Sequence, residues 1–124
     1  MLSQKFYDVL QKEGVVSIVS WATGEPHVVN TWNSFLVITS DERILIPAYA
    51  MRKTEKNLNQ NNKIKLALGS KEVLGYKDYP GTGFVVEGTA KFLESGSEFD
   101  MMKEKFSFLT RVLEVTVSSA KQML

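Results

Sequence analysis

The sequence predicts a mainly β protein, in which six or seven short antiparallel strands form a small barrel and three helices pack around it. Short runs of β-branched residues are separated by turn segments that contain glycine and proline. The helical segments do not alternate with the strands as they do in a parallel α/β fold. We expect one domain over residues 1–124, because this length supports a single hydrophobic core.

The small size of the predicted barrel limits where a ligand can bind. A small closed barrel is filled by its own side chains. We therefore expect any ligand to lie on the rim or the outer surface, where a second subunit could complete the pocket.

The first predicted elements are a helix and a β-hairpin. Ser3 is expected to cap the helix, and Gly14 follows where a helix commonly ends. Three apolar side chains recur at helical spacing, those of Phe6, Val9 and Leu10. The run "VVSIVSW" and the run "HVVNTW" then form a hairpin around the turn "ATGEP".

The middle of the chain predicts a second strand pair and a second helix. Residues 35–39 and 43–46 flank the polar turn "SDE", and we expect Pro47 to end the second strand. Thr54 is expected to cap the helix, which the asparagine pair at the end of "NLNQNN" terminates.

Two long strands and a third helix are predicted in the second half of the chain. A loop-rich connection over residues 71–83 separates the strand "KIKLALGS" from the strand "FVVEGTAKFL", in which Gly88 indicates a bulge or bend. Ser95 or Ser97 is expected to cap a helix that reaches Phe108, and "VLEVTV" forms the last strand.

The composition excludes several classes of function. The chain has no cysteine, so disulfides, thiolate nucleophiles and cysteine-bound metal clusters are excluded, and any redox role needs a bound cofactor. One histidine, His27, forms no metal site unless carboxylates join it, and a packing role is favoured. No Ser-His-Asp set or carboxylate pair is evident, so hydrolysis is disfavoured.

The charge and hydrophobicity patterns indicate neither a nucleic-acid-binding protein nor a membrane protein. The formal net charge is +1, without the basic bias of many nucleic-acid binders. The apolar runs are too short to cross a bilayer, and the charged first 14 residues do not resemble a signal peptide. We therefore expect a cytoplasmic protein.

The segment "MRKTE" predicts a phosphate site. Arg52 and Lys53 directly precede the expected helix cap, Thr54. The free N–H groups and positive dipole end of a helix start, together with cations and a hydroxyl, suit a phosphate. Basic residues beside a helix start are also common on plain solvated surfaces, so this segment alone leaves both interpretations open.

The segment "NTWNS" is unusually polar for a strand. An unpaired buried amide costs about 1–3 kcal/mol, so such side chains require partners in the protein or in a ligand. Asn30 and Thr31 could bond the edge of a flat heterocycle such as a flavin, a nucleotide or a pyridoxal ring, with Trp32 near its face. An irregular bend whose amides bond the neighbouring backbone is an equally good interpretation.

For two further segments, a structural role is favoured over a ligand-binding role. "YPGTGF" matches neither a P-loop nor a dinucleotide-binding fingerprint, and a tight loop that enters a strand explains it. Phe106 and Phe108 are two residues apart and point in different directions at a helix end, so one packs in the core and one is left for an interface.

Six segments together resemble one family along nearly the whole chain. They are "EGVVSIVSW", "PHVVNTWNSFL", "ILIPAYAMRKTEKNL", "LALGSKEV", "PGTGFVVEGTAKF" and "VTVSSAKQML", in this order. They resemble the small FMN-binding proteins of the pyridoxamine 5′-phosphate oxidase-like FMN-binding split-barrel family. "VNTWNS" and "MRKTE" are the most specific parts of the resemblance.

The resemblance implies a six-stranded antiparallel split barrel of Greek-key type, which forms a homodimer with one FMN at each end of the interface. Lys53 and Thr54 would hold the phosphate. The side chains lining the isoalloxazine ring would be those of Asn30, Thr31 and Trp32. The backbone passing close to the ring would be that of Pro47, Ala48, Tyr49 and Ala50. The residues closing the pocket from the second chain would be Phe35, Phe108 and Leu124.

Two positions depart from the family's pattern. The segment after the proline tends to contain glycine, whereas this chain has "AYA", so Tyr49 must point away from the flavin or reshape its pocket. An aromatic residue near the flavin can be tryptophan, whereas Phe108 offers a ring without an N–H donor.

The family picture also places Glu13 near the flavin, where its negative charge would disfavour the anionic reduced form. An exposed carboxylate at the end of the first helix is an equally good interpretation of Glu13.

The function implied by the resemblance is electron transfer or hydride acceptance by bound FMN, with an unidentified redox partner. The enzyme alternatives are a flavin reductase that uses a nicotinamide, or a pyridoxamine phosphate oxidase, which needs cations for a second phosphate beyond Arg52 and Lys53. A third alternative is a cofactor-free or haem-binding stress module, for which His27 and the methionines provide few axial ligands.

Overall fold

A computed structural model describes residues 1–124, which form one curled antiparallel sheet and three α-helices. The elements in chain order are α1 Gln4–Leu10, β1 Val15–Ser20, β2 His27–Trp32, β3 Val37–Ile38, β4 Ile44–Ala48, α2 Arg52–Gln60, β5 Lys63–Leu74, β6 Pro80–Leu93, α3 Ser97–Lys105 and β7 Arg111–Gln122. Two 3-10 turns lie between strands, at Asn33–Phe35 and Tyr76–Asp78.

The seven strands lie in the order β2-β1-β5-β6-β7-β4-β3, and all neighbours are antiparallel. β2 and β3 are at opposite edges of the sheet, although the 3-10 turn and Leu36 alone separate them in the chain. The sheet must therefore curl until its edges approach each other, which confirms the predicted class. The implied number of six strands is wrong by one, because the two residues of β3 pair with β4.

Helix α1 closes one end of a core of eighteen buried apolar residues. The Ser3 hydroxyl accepts the N–H of Phe6 at 3.2 Å, which confirms the predicted cap. Phe6 and Val9 are completely buried, and the Phe6 ring meets Phe84 of β6 edge to face at 5.3 Å. The helix ends at Leu10, earlier than Gly14.

The side chain of Asn33 fastens three parts of the chain together. It is completely buried, and its Nδ2 donates to the carbonyl oxygens of Val9 at 3.3 Å, Lys12 at 2.9 Å and Gly69 at 3.0 Å. The Asn33 N–H donates to the carbonyl of Gly14, where an added Cβ would lie 2.1 Å from the Gly69 oxygen. This Asn33 clamp fixes the end of β2 against α1 and β5.

Pro47 does not end β4 as predicted. It lies within the strand and pairs with Val112 of β7. On its other side β3 pairs only as far as Val37 with Leu45, so no strand requires the missing N–H of proline. The strand continues to Ala48.

The predicted loop over residues 71–83 is largely strand. β5 runs to Leu74 and β6 begins at Pro80, with a register shift in the pairing after Ser70. Lys77 adopts a positive φ of 57°, which allows a tight 3-10 turn to join the two strands.

The bulge predicted at Gly88 is confirmed, whereas the predicted bounds of α3 are wrong. The register of β6 with β7 shifts between Glu87 and Gly88. Gly96, with a φ of 106°, is the N-cap of α3 in place of either serine, and the helix ends at Lys105, before both phenylalanines. None of the helices has the length and apolar character to span a bilayer.

Substitution of Asn33 tests the clamp. In Asn33→Ala the three carbonyl oxygens lose their donor, and we expect the free energy of unfolding to fall by about 2–3 kcal/mol. In Asn33→Asp a carboxylate faces the same oxygens and repels them, so the loss should be larger at pH 7. Chemical denaturation measures both changes.

The matched control is Asn59→Asp, because Asn59 is exposed on α2. The same chemical change there should alter the free energy of unfolding by less than about 0.5 kcal/mol. A clamp made by Nδ2 is contradicted if Asn33→Asp is as stable as the wild type.

Candidate functional site

The start of α2 is an uncapped helix terminus. The N-cap residue is Met51, whose side chain makes no capping hydrogen bond, and the helix begins at Arg52. Thr54 therefore lies in the first turn, and its predicted role as the cap is wrong. The first N–H groups of a helix have no partners within it, and they coincide with the positive end of the helix dipole. Such a terminus favours an anion.

The hydroxyl of Thr54 provides a second, independent indication of a ligand. Thr54 is completely buried, and its Oγ1 has no hydrogen-bond partner in the chain. Buried hydroxyls are normally paired, because desolvation without a partner costs free energy. A ligand oxygen at the helix start would provide the missing partner.

Two consecutive residues with left-handed backbone connect β4 to α2. The φ angles are 64° for Ala50 and 52° for Met51. Residues with a Cβ avoid this region at a cost of roughly 1–2 kcal/mol each, and such strain is often found at functional sites. Tyr49, which precedes this turn, is 67% exposed, so its ring lies mostly in solvent.

Ion pairs distinguish the cations around this left-handed turn. Glu55 Oε1 lies 3.3 Å from Nη1 of Arg52, and Oε2 lies 2.9 Å from Nη1 of Arg111. Lys53 is exposed and takes part in no ion pair. Lys53 is thus the cation at the helix start that is free to bind an anion.

Arg111 is the residue of this site that the sequence analysis missed. It begins β7 opposite Ala48, is 5% exposed, and donates a hydrogen bond to the Ala50 carbonyl. Its guanidinium lies 4.2 Å from the centroid of the Phe92 ring. Its neighbours in "LTRVLEV" do not distinguish it from a surface arginine, because only the pairing of β4 with β7 brings it to the turn.

The residues of "NTWNS" divide into two groups. Asn33 bonds the backbone, as the bend interpretation expects, and Asn30 accepts the Ser17 hydroxyl at 2.9 Å through Oδ1. Thr31 is buried, whereas Trp32 is 46% exposed. The end of the edge strand β2 therefore presents part of the Trp32 indole and the side-chain amide of Asn30 to solvent.

Glu13 is fastened to the bend that follows Trp32. Its Oε2 accepts the Ser34 hydroxyl at 2.7 Å, and its Oε1 accepts the N–H of Ser34 at 3.1 Å and that of Gly14 at 3.4 Å. These hydrogen bonds, the one from the Ser34 hydroxyl first, lower the pKa of Glu13. The bend thus carries a fixed, ionised carboxylate at its surface.

Phe35, Phe106 and Phe108 form an aromatic cluster in one chain. Their ring centroids lie 5.3 Å apart for Phe35 and Phe106, 5.7 Å for Phe35 and Phe108, and 6.1 Å for Phe106 and Phe108. Phe108 is 47% exposed, whereas the other two rings are half-buried. The cluster is an apolar surface of the kind that binds other chains or ligands.

Leu124 lies outside this aromatic cluster. Its carbonyl accepts hydrogen bonds from the Thr82 hydroxyl and from the N–H of Tyr76, both at 3.1 Å. Leu124 itself is 66% exposed. Of the three residues expected to close a pocket from a second chain, Phe35 and Phe108 are neighbours, whereas Leu124 lines a groove with Glu13 and Gly14.

The structure brings Pro47, Ala48, Tyr49, Ala50, Lys53 and Thr54 into one continuous segment beside Arg111. Pro47 and Ala48 are buried in β4, and the Ala48 carbonyl accepts the N–H of Thr110 at 2.9 Å. No hydrogen bond or ion pair joins this segment to the end of β2.

Comparison with known proteins identifies a family and a relative that matches the whole chain. The model of the family "Pyridoxamine 5′-phosphate oxidase" matches residues 2–124. The "FMN-binding protein" of Nitratidesulfovibrio vulgaris is 41% identical over 124 residues, which cover 100% of each chain.

Two solved structures have the same fold. HupZ of Group A Streptococcus has a TM-score of 0.80 at 17% identity, over 99% of this chain and 94% of that one. An FMN-binding protein of Syntrophomonas wolfei has a TM-score of 0.69 at 18% identity, over 88% and 76% respectively. At these identities, the structural likeness shows the fold alone.

Substitution of Ser34 tests the cause of the low pKa of Glu13. In Ser34→Ala the main hydrogen bond is lost, so the pKa should rise toward 4.5. Because the folded-state pKa is the lower one, the contribution of this carboxylate to stability is present above pH 4.5 and is lost as the pH falls through the folded-state value. Carbon-13 NMR titration of the Glu13 carboxyl measures the pKa.

Ser40→Ala provides the control, because Ser40 is exposed and makes no hydrogen bond to Glu13. A Glu13 titration that is the same in Ser34→Ala and in the wild type would exclude the hydroxyl as its cause.

Proposed function

Because the chain belongs to the pyridoxamine 5′-phosphate oxidase family, we propose that it binds FMN with the phosphate at the start of α2. The observation that carries the proposal is the buried, unpartnered hydroxyl of Thr54 in the first turn of an uncapped helix. The relative of 41% identity that is named an FMN-binding protein supports the choice of flavin.

The residues at the helix start fit a phosphate dianion. The N–H groups of the first turn and the Thr54 hydroxyl are donors, and the Lys53 ammonium supplies a positive charge with no competing carboxylate. Glu55 occupies both neighbouring guanidiniums, those of Arg52 and Arg111. One phosphate is therefore well matched.

The end of β2 is the proposed site of the isoalloxazine ring. Asn30 and Thr31 would bond the ring edge, and the exposed indole of Trp32 would contact its face. The backbone of Pro47, Ala48, Tyr49 and Ala50 would pass on the other side, held in place by the hydrogen bond between Thr110 and Ala48.

We further propose a homodimer in which Phe35, Phe108 and Leu124 of the partner subunit close the pocket. The exposed aromatic cluster supports this arrangement, because burial against a second copy would remove an apolar surface from water. Bound FMN supplies the redox chemistry, while these side chains orient the ring and exclude water.

We propose electron transfer as the role of the flavin, with a redox partner still to be identified. A pyridoxamine phosphate oxidase needs cations for a second phosphate, yet the arginines nearest the site are already paired with Glu55. Stopped-flow reduction by NAD(P)H tests the remaining enzyme alternative, because rapid bleaching of bound FMN would indicate a flavin reductase.

Comparison of FMN with riboflavin tests the phosphate site, because only FMN carries the phosphate. Lys53→Ala removes the free ammonium, so we expect the Kd for FMN to rise about tenfold or more and the Kd for riboflavin to rise much less. Quenching of flavin fluorescence measures both constants.

Arg52→Ala provides a matched control, because it removes the same charge from a guanidinium that is already paired with Glu55 and whose side chain is 76% exposed. Its effect on FMN should be smaller than that of Lys53→Ala. Equal losses for the two flavins in Lys53→Ala would contradict the assignment of the site. A colourless protein that takes up no added FMN would refute the proposed function.

A further inference from the structure

We propose that Arg111 is a positioning residue of the phosphate site, which holds the left-handed turn of Ala50 and Met51 and so orients the start of α2. This inference rests on the proposed function, because it assigns a role within the same site. Arg111 acts through the turn and is not itself a phosphate ligand.

The turn requires an interaction that holds it. Glycine adopts positive φ angles without steric cost, but both residues here carry a Cβ. Their φ angles of 64° and 52° persist only where the surrounding structure fixes them. A contact specific to this turn is therefore needed.

The guanidinium of Arg111 provides that contact from both sides of the turn. Nη2 donates to the carbonyl of Ala50, where the turn begins. Nη1 forms an ion pair with Glu55, in the first turn of α2, at 2.9 Å from Oε2 and without a hydrogen bond. One planar fork thus joins the turn to the helix that it precedes, which a lysine could not do.

The position of Arg111 argues against a direct contact with phosphate. The residue is 5% exposed, and its guanidinium lies against the face of the Phe92 ring at 4.2 Å. Its charge is balanced by Glu55, in contrast to the exposed and unpaired Lys53. What Arg111 contributes is therefore the geometry of the turn.

A double-mutant cycle separates geometry from charge. Arg111→Gln should raise the Kd for FMN about tenfold and that for riboflavin less than about threefold. Ala50→Gly allows the turn to form without the guanidinium. In the Arg111→Gln background it should therefore recover most of the lost FMN affinity, and it should lower the Kd for FMN by a factor about fivefold larger than in the wild type.

Two outcomes would overturn the inference. One is an FMN to riboflavin affinity ratio in Arg111→Gln equal to that of the wild type. The other is a loss that Ala50→Gly does not recover, because Arg111 would then act through its charge. If Arg111→Gln does not fold, Arg111→Lys takes its place with the same expectation, since it keeps the charge and loses the fork.

Arg43→Gln is the control for a general loss of stability. Arg43, directly before β4, forms ion pairs with Asp41, Glu98 and Glu114, so it is also a partly buried arginine in an ion-pair network. The ratio of FMN to riboflavin affinity should not change in this variant.

A measurement without flavin distinguishes failure of this inference from failure of the proposed function. The N–H of Glu55 donates to the carbonyl of Met51 in the turn, and its hydrogen exchange in the unliganded protein should be faster in Arg111→Gln than in Arg43→Gln. Unchanged exchange there overturns the role of Arg111, even if the wild type binds FMN. Faster exchange in a protein that binds no FMN supports the hold on the turn and refutes the phosphate site.

Discussion

The left-handed turn at Ala50 and Met51 is the constraint on which the candidate site depends. It allows the chain to leave β4 and enter α2 without a capping side chain, so the first N–H groups of the helix remain free. Thr54 is consequently buried in the first turn with an unpartnered hydroxyl, and Lys53 is left exposed without an ion pair. Strain in the backbone and unsatisfied donors therefore occur at the same place, as expected for a binding site.

The polar residues elsewhere in the chain separate into those that hold the fold and those that remain free. The side-chain amide of Asn33 donates hydrogen bonds to three carbonyl oxygens, and the carboxylate of Glu13 accepts three hydrogen bonds from the bend beside it. Rigidity at the end of β2 follows from these contacts. The exposed ring of Trp32 and the side-chain N–H groups of Asn30 have no such role, so they are available to contact a ligand.

Local signals predicted the elements that local chemistry decides. The Ser3 cap, the first hairpin and the bulge at Gly88 follow from hydrogen bonding and backbone preferences of a few neighbouring residues. Their prediction needed no tertiary information.

The errors arose where distant contacts override those preferences. Ala50 and Met51 do not favour positive φ, so the sequence suggested a helix that begins later, with a cap at Thr54. Pro47 was expected to end β4, but no strand pairs with it on the side of β3, so its missing N–H is tolerated. Arg111 was missed because its partners, Ala50 and Glu55, are more than fifty residues away in the chain. The most direct test of the account is a nitrogen-15 NMR titration of the protein with FMN. We predict that the amides of Arg52, Lys53 and Thr54 shift with FMN and much less with riboflavin; equal shifts with both flavins, or none at these amides, would contradict a phosphate site at the start of α2.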